Sequence, residues 1–220
     1  MRSLKLFLVA AFAVLTADSA NAGLVSVNGV VSLRGDTAAI IANPADVTDG
    51  ASGANALGQR GFNEVQNFLL PVNITLDGGV VIMAGTVISS HMIFLNNSEA
   101  EATVLNRHLG VEWTFDGNIL GVMSDYNGVL ETATSALLGA PGTIYPAVGF
   151  QARGIEVDDS YSFLLNVLTF NSNIRQPGDW IRVITLASPG TPVPEPATAL
   201  LLGGGGLVGL LRRRAARKSA

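Results

Sequence analysis

The sequence predicts a mainly β body, an antiparallel sandwich of jelly-roll type, carried between two processing segments. Three observations predict it. Short runs of β-branched and aromatic residues recur about every ten residues, with Gly, Asn, Asp and Pro between them. Several runs alternate apolar and polar side chains, as a half-buried strand requires. Both chain ends depart sharply in composition from the middle.

The N-terminal end reads as a secretory signal. Arg2 and Lys5 make a positive start, Leu6 to Leu15 is apolar, and Ala20-Asn21-Ala22 is a small-x-small cleavage pattern. Residues 1–22 are therefore expected to be a signal helix removed by signal peptidase, with the mature chain starting at Gly23. The apolar run is shorter than the ~20 residues a comfortable membrane span needs.

Residues 23–188 form the body. Leu24 to Val27 and Val30 to Leu33 flank Asn28-Gly29, which reads as a hairpin. Residues 42–60 are rich in Asn, Asp, Gly, Ala and Ser and read as a long mobile loop. Val72 to Leu76 and Val80 to Met83 flank Asp77-Gly78-Gly79, a second hairpin signal. Thr86 to Ile88 and Met92 to Leu95 follow as two strands, with Ser89-Ser90-His91 between them. Val111, Trp113 and Phe115 share one strand face. A short helix is expected over Glu131 to Leu138, entered at Asn127-Gly128 and stopped by Gly139. Tyr161 to Phe170 and Trp180 to Leu186 supply two last strands. No repeat of solenoid or propeller period is present.

Charge and cysteine content limit function. Between the two ends lie six arginines, no lysine and fifteen acids, a formal charge of −9 hidden inside the whole-chain −4. Such a surface disfavours nucleic acid and anionic lipid as partners. The chain has no cysteine, hence no disulfide and no thiolate chemistry. The body is long enough to be held by its core alone.

No local signature of catalysis is present: no nucleophile elbow, and no paired-histidine zinc motif. His91 and His108 read as structural or surface residues. No cofactor is expected. Calcium is the one metal left open, through Asp116-Gly117-Asn118, Asp125-Tyr126-Asn127 and Asp158-Asp159, although turn chemistry accounts for the same residues. Trp113 and Trp180 read as core, whereas Tyr145, between Ile144 and Pro146, reads as an exposed ring able to stack on a sugar.

The C-terminal end has three parts. Residues 189–196 are a Pro-rich linker containing Pro194-Glu195-Pro196. Residues 197–211 are an apolar, Gly-rich run expected to form a transmembrane helix of about 22 Å, shorter than a hydrocarbon core of about 30 Å. Residues 212–220 are a basic tail in which Arg212, Arg213 and Arg214 act as the topology stop and stay cytoplasmic.

This order resembles the PEP-CTERM sorting signal of Gram-negative bacteria, also catalogued as an ice-binding protein C-terminal motif. The resemblance implies that a membrane protease, exosortase, recognises Pro194, Glu195 and Pro196. It also implies an inner-membrane intermediate, then transfer to the cell surface or extracellular matrix, in bacteria that make exopolysaccharide. The body resembles uncharacterised ectodomains that precede such signals. The expectation is a noncatalytic structural or adhesive protein of biofilm or matrix, with signal peptidase, exosortase, the membrane and exopolysaccharide as partners. A carbohydrate-binding module is the alternative, and a secreted hydrolase the third reading.

Overall fold

Period-two burial governs the two central strands of the first sheet. In a computed structural model that describes residues 23–49, 56–97, 103–147, 153–175 and 178–187, strand β8 (Asn106–Phe115) buries Val111, Trp113 and Phe115 completely and turns Glu112 to solvent. Strand β11 (Val167–Ile174) does the same with Leu168 and Phe170. These two strands pair in antiparallel register at the centre of a four-stranded sheet. Strand β1 (Leu24–Asn28) flanks β8, and β10 (Ser160–Leu164) flanks β11.

A second sheet faces the first. It runs β2 (Ala39–Ile40), β3 (Ala56–Asn63), β7 (Val87–Asn96), β12 (Asp179–Leu186) and β9 (Ile119–Met123), with β4 (Phe68–Leu69) also paired to β7. Its pairings are antiparallel except β2 with β3. Ile93, Val122, Ile181 and Val183 from this sheet pack against Val111, Trp113, Phe115, Leu168 and Phe170 from the other. That interface is the expected sandwich core. Gly61 on β3 is what lets Trp113 lie flat there, because a Cβ at Gly61 would stand 2.5 Å from the indole ring.

The second sheet is also covered on its outer side, so the body has a third layer. Strand β5 (Ile74–Thr75) and β6 (Val81–Ile82) form the hairpin expected around Asp77-Gly78-Gly79, which itself makes a 3-10 turn. That hairpin and helix α1 (Val129–Leu138) place Ile74, Ile82 and Leu138 on Ile88, Met123 and Ile184. Val47 and Ala140 cover Phe62, Met92, Phe94 and Trp180. Burial on both faces explains why β12 is buried at every position except Leu186 and why β7 carries no exposed residue.

Five expectations need correction. Asn28-Gly29 is not a hairpin turn: β1 pairs with β8, and the chain runs on beside it, Leu33 N donating to Arg107 O at 2.7 Å. Ser89-Ser90-His91 does not separate two strands, because β7 is continuous and its polar groups find partners within the layers. The loop read over residues 42–60 is shorter, since β3 begins at Ala56, and Val47 within it is fully buried. Residues 161–170 are a hairpin, β10 to β11, turning at Leu165-Asn166 with Leu165 at φ 55°. Tyr145 is half-buried and bonded rather than exposed.

The helix lies where it was expected, from the Gly128 entry to the Gly139 stop, where Gly139 N donates to Ser135 O at 2.9 Å. The signal helix 1–22 with Ala20 and Ala22, the linker, the run 197–211 and the basic tail lie outside the described residues. So do Pro194, Glu195, Pro196, Arg212, Arg213 and Arg214. Among the described residues no helix is long and apolar enough to cross a membrane.

Candidate functional site

Both histidines sit inside the sandwich. His91 points from β7 into the core, its ring 4.8 Å from that of Phe115. Its Nδ1–H donates to Asn63 Oδ1 at 2.9 Å, and the Thr185 hydroxyl donates to Nε2 at 3.1 Å. Burial pushes its pKa down to about 3, so the ring is neutral at ordinary pH.

His108 is neutral for a related reason. Gln59 N donates to Nδ1 at 3.0 Å, which places the proton on Nε2, and Nε2–H donates to Val30 O at 2.7 Å. Burial again lowers the pKa. The Gln59 side chain continues this chain of bonds, accepting from Trp113 Nε1 at 2.9 Å. Both rings therefore hold strands together.

The densest chemistry lies on the outer side of the second sheet, under α1. Arg182 from β12 grips Glu64 with two bonds of 2.8 Å, from Nε to Oε2 and from Nη2 to Oε1. Its Nη2 also stands 3.2 Å from Glu131 Oε1. Arg153 Nη2 meets the other oxygen, Glu131 Oε2. All four charged side chains are 0–1% exposed. Two cations and two anions cancel, and that cancellation is what permits ions in a dry layer.

Neutral groups complete the cluster. Tyr145 OH donates to Glu64 Oε1 at 2.7 Å, and Ser90 Oγ donates to Oε2 at 2.6 Å. Arg182 Nη1 donates to Thr134 Oγ1 at 2.8 Å, and its guanidinium lies 5.6 Å from the Tyr145 ring centre. Arg153 Nη1 reaches Thr132 Oγ1 at 2.8 Å and Pro146 O at 2.6 Å. Burial, and then the neighbouring Arg182, bring the Arg153 pKa down to about 10. Burial and the adjacent Glu64 push the Tyr145 phenol well up, so it stays a donor. The arrangement clamps α1 and the following loop onto the sheet. Its acids already have cationic partners, which is poor preparation for acid–base work.

A second cluster lies at one end of the sandwich. A cleft of about 300 Å³ is lined by Arg107, Glu156, Asp158, Asn173, Arg175 and Asp179. Asp179 is buried, accepts from Ser172 Oγ, and has its carboxyl pushed well above the usual range by burial and by Asp159.

Three of the four carboxylates considered for calcium serve the backbone, and the fourth, Asp158, lines the cleft. Asp116 Oδ2 accepts from Gly23 N at 2.7 Å. Asp125 accepts from Val129 N at 2.7 Å and Leu130 N at 2.9 Å, capping α1 from three residues before its Gly128 entry. Asp159 accepts from Glu156 N and Asn173 N, both at 2.7 Å. Among the described residues no group of three or more His, Cys, Asp or Glu side chains is placed to hold a metal ion.

Trp113 and Trp180 are core residues, as expected. Exposed aromatic surface is found instead at Tyr126, 53% exposed, and at Phe163 on the edge strand β10.

The body thus offers a tightly bonded scaffold, and the address lies in the tail. A family model for the PEP-CTERM protein-sorting motif matches residues 192–217. The chain carries a PEP-CTERM sorting signal. The match spans Pro194-Glu195-Pro196, the apolar run and the arginines on which the resemblance was read. A PEP-CTERM signal implies export, processing by an exosortase at the membrane, and a destination at the surface or outside the cell. No curated protein and no solved structure matches this chain.

Proposed function

We propose that this PEP-CTERM protein is a noncatalytic component of the cell surface or extracellular matrix, with a structural or adhesive role linked to exopolysaccharide. The observation that carries the reading is the use of its reactive side chains. Both histidines, two glutamates and two arginines are spent on holding strands and layers together. In fold terms the reading is a jelly-roll-like sandwich, since the chain changes sheet from β7 to β8, from β8 to β9, from β9 to β10 and from β11 to β12.

The path to that destination has the proposed boundaries. Signal peptidase frees Gly23, the run 197–211 holds the protein in the inner membrane with Arg212, Arg213 and Arg214 inside, and exosortase acts at Pro194-Glu195-Pro196. The test is to fractionate the native host. Wild-type protein is expected in the matrix together with exopolysaccharide, without turnover of glycoside or ester substrates. Turnover by the purified protein would overturn the noncatalytic reading.

One observation favours a carbohydrate-binding module as the second reading. Tyr126 and Val157 stand exposed beside Glu156 and Asp158 in a shallow groove of about 500 Å³. An aromatic face next to polar acceptors suits a sugar ring. A glycan array with wild-type and Tyr126→Ala protein decides it: selective binding lost in the variant supports the module, and flat binding across all glycans rejects it.

A further inference from the structure

Gly23, the first residue after the proposed signal-peptidase site, is held unusually well for a chain start. Its backbone N donates to Asp116 Oδ2 at 2.7 Å, and Asp116 N donates back to Gly23 O at 3.1 Å. The next amide, Leu24 N, donates to Asn63 Oδ1 at 2.9 Å. Asp116 follows β8 of one sheet, and Asn63 ends β3 of the other. The start of the body is thus tied to both layers.

Gly23 is itself buried, and a Cβ there would stand 2.6 Å from Asn63 Nδ2. Asn63 has little freedom to yield, because its Oδ1 also accepts from His91 Nδ1. Only glycine fits this pocket without displacing Asn63.

We infer that signal-peptide removal builds an ion pair into the fold: the new α-ammonium of Gly23 is captured by the Asp116 carboxylate, locking β1 to the turn after β8. The inference rests on the export reading and on cleavage after Ala22. In that cleavage water attacks the Ala22 carbonyl carbon and the Ala22–Gly23 C–N bond breaks. Ala22 leaves as a carboxylate, and the Gly23 nitrogen takes up protons to become an ammonium.

Before the cut the nitrogen is a neutral amide with one N–H to give. Afterwards it carries a full charge and three donors, already 2.7 Å from an acceptor that suits them. Completion of the fold is thereby coupled to passage across the membrane. The body's own composition keeps the signal clean, for the only lysines of the chain are Lys5, in the leader, and Lys218, in the tail.

The test uses protein exported with its own leader and purified intact. Its N-terminus is read first by mass spectrometry; a start other than Gly23 overturns the cleavage reading and this inference with it. Given a Gly23 start, the α-amine is labelled with an acylating reagent at neutral pH. Labelling at least ten-fold slower in the native protein than in urea is expected, and equal rates overturn the capture while leaving the cleavage reading intact.

A thermal-melting cycle then isolates the charge. One arm inserts Ser-Glu between Ala22 and Gly23, so that the new amine starts two residues too early. The other arm is Asp116→Asn, which keeps an acceptor and removes the charge. Asp116→Asn is expected to lower Tm by about 2–4 °C with the natural start and by clearly less with the extended one. The same loss with both starts contradicts the ion pair.

Discussion

Replacing His91 by Gln should flatten the acid sensitivity of this protein. In the folded state the His91 pKa lies near 3, against an ordinary value of 6.5. A lowered pKa means that the unfolded chain binds the proton more tightly than the folded one. The neutral ring's contribution is therefore complete above pH 6.5, erodes as pH falls, and is exhausted near pH 3. Each pH unit inside that window costs about 1.4 kcal/mol, so the step from pH 7 to pH 5 removes roughly 2 kcal/mol. Asp179 works in the opposite direction, since a raised carboxyl pKa favours the folded state as pH falls through it. The comparison must therefore be between wild type and His91→Gln, in which Asp179 cancels. Urea unfolding at pH 7, 6 and 5 provides the assay, with fluorescence of Trp113 and Trp180, both buried, as the probe. Wild type should lose about 2 kcal/mol more than the variant over that range. Parallel losses would refute the reasoning, as would a His91 titration near 6.5 in NMR spectra of the folded protein.

Other substitutions address the remaining layers. Arg182→Met should cost about 3–5 kcal/mol in urea unfolding, because it leaves Glu64 buried without its cation. The double variant Arg182→Met with Glu64→Gln should recover part of that loss. Asp125→Ala strips the cap from two amides of α1 and should cost about 1 kcal/mol by the same measurement. Leu165→Gly should raise stability by roughly 0.5–1 kcal/mol, since Leu165 is exposed and held at φ 55°. Glu195→Ala should leave an uncut, membrane-retained precursor, detectable by immunoblot of membrane and medium fractions.

What could be read from the sequence depended on how local the cause was. The Val111, Trp113 and Phe115 alternation, the Asp77-Gly78-Gly79 turn and the Gly128 and Gly139 helix limits all act within a few residues, and each predicted its element. Leu165-Asn166 hid a hairpin because a leucine occupies a position where glycine is the usual signal. Asn28-Gly29 misled for the converse reason: the turn dipeptide lies in an edge segment that β8 keeps extended.

The ion cluster was the least legible part of the candidate site. Glu64 and Arg182 are 118 residues apart, and nothing near Glu64 announces its partner. One local signal did exist. Arg182 stands inside the apolar run Trp180 to Leu186, and a charge in a strand buried on both faces demands a counter-ion. Arg182 alternates with Ile181 and Val183, a pattern that a strand with one face in water would share, and only the third layer removes that water. The sorting signal, by contrast, is linear and is read by a protease as sequence, so it was fully legible.

The account stands or falls on what leaves the cell. The intact mass of the protein recovered from the surface or medium of its native host measures both ends at once. The predicted chain begins at Gly23 and lacks the apolar run 197–211 and the arginines behind it. A released protein that still carries Arg212 to Lys218 would contradict the account.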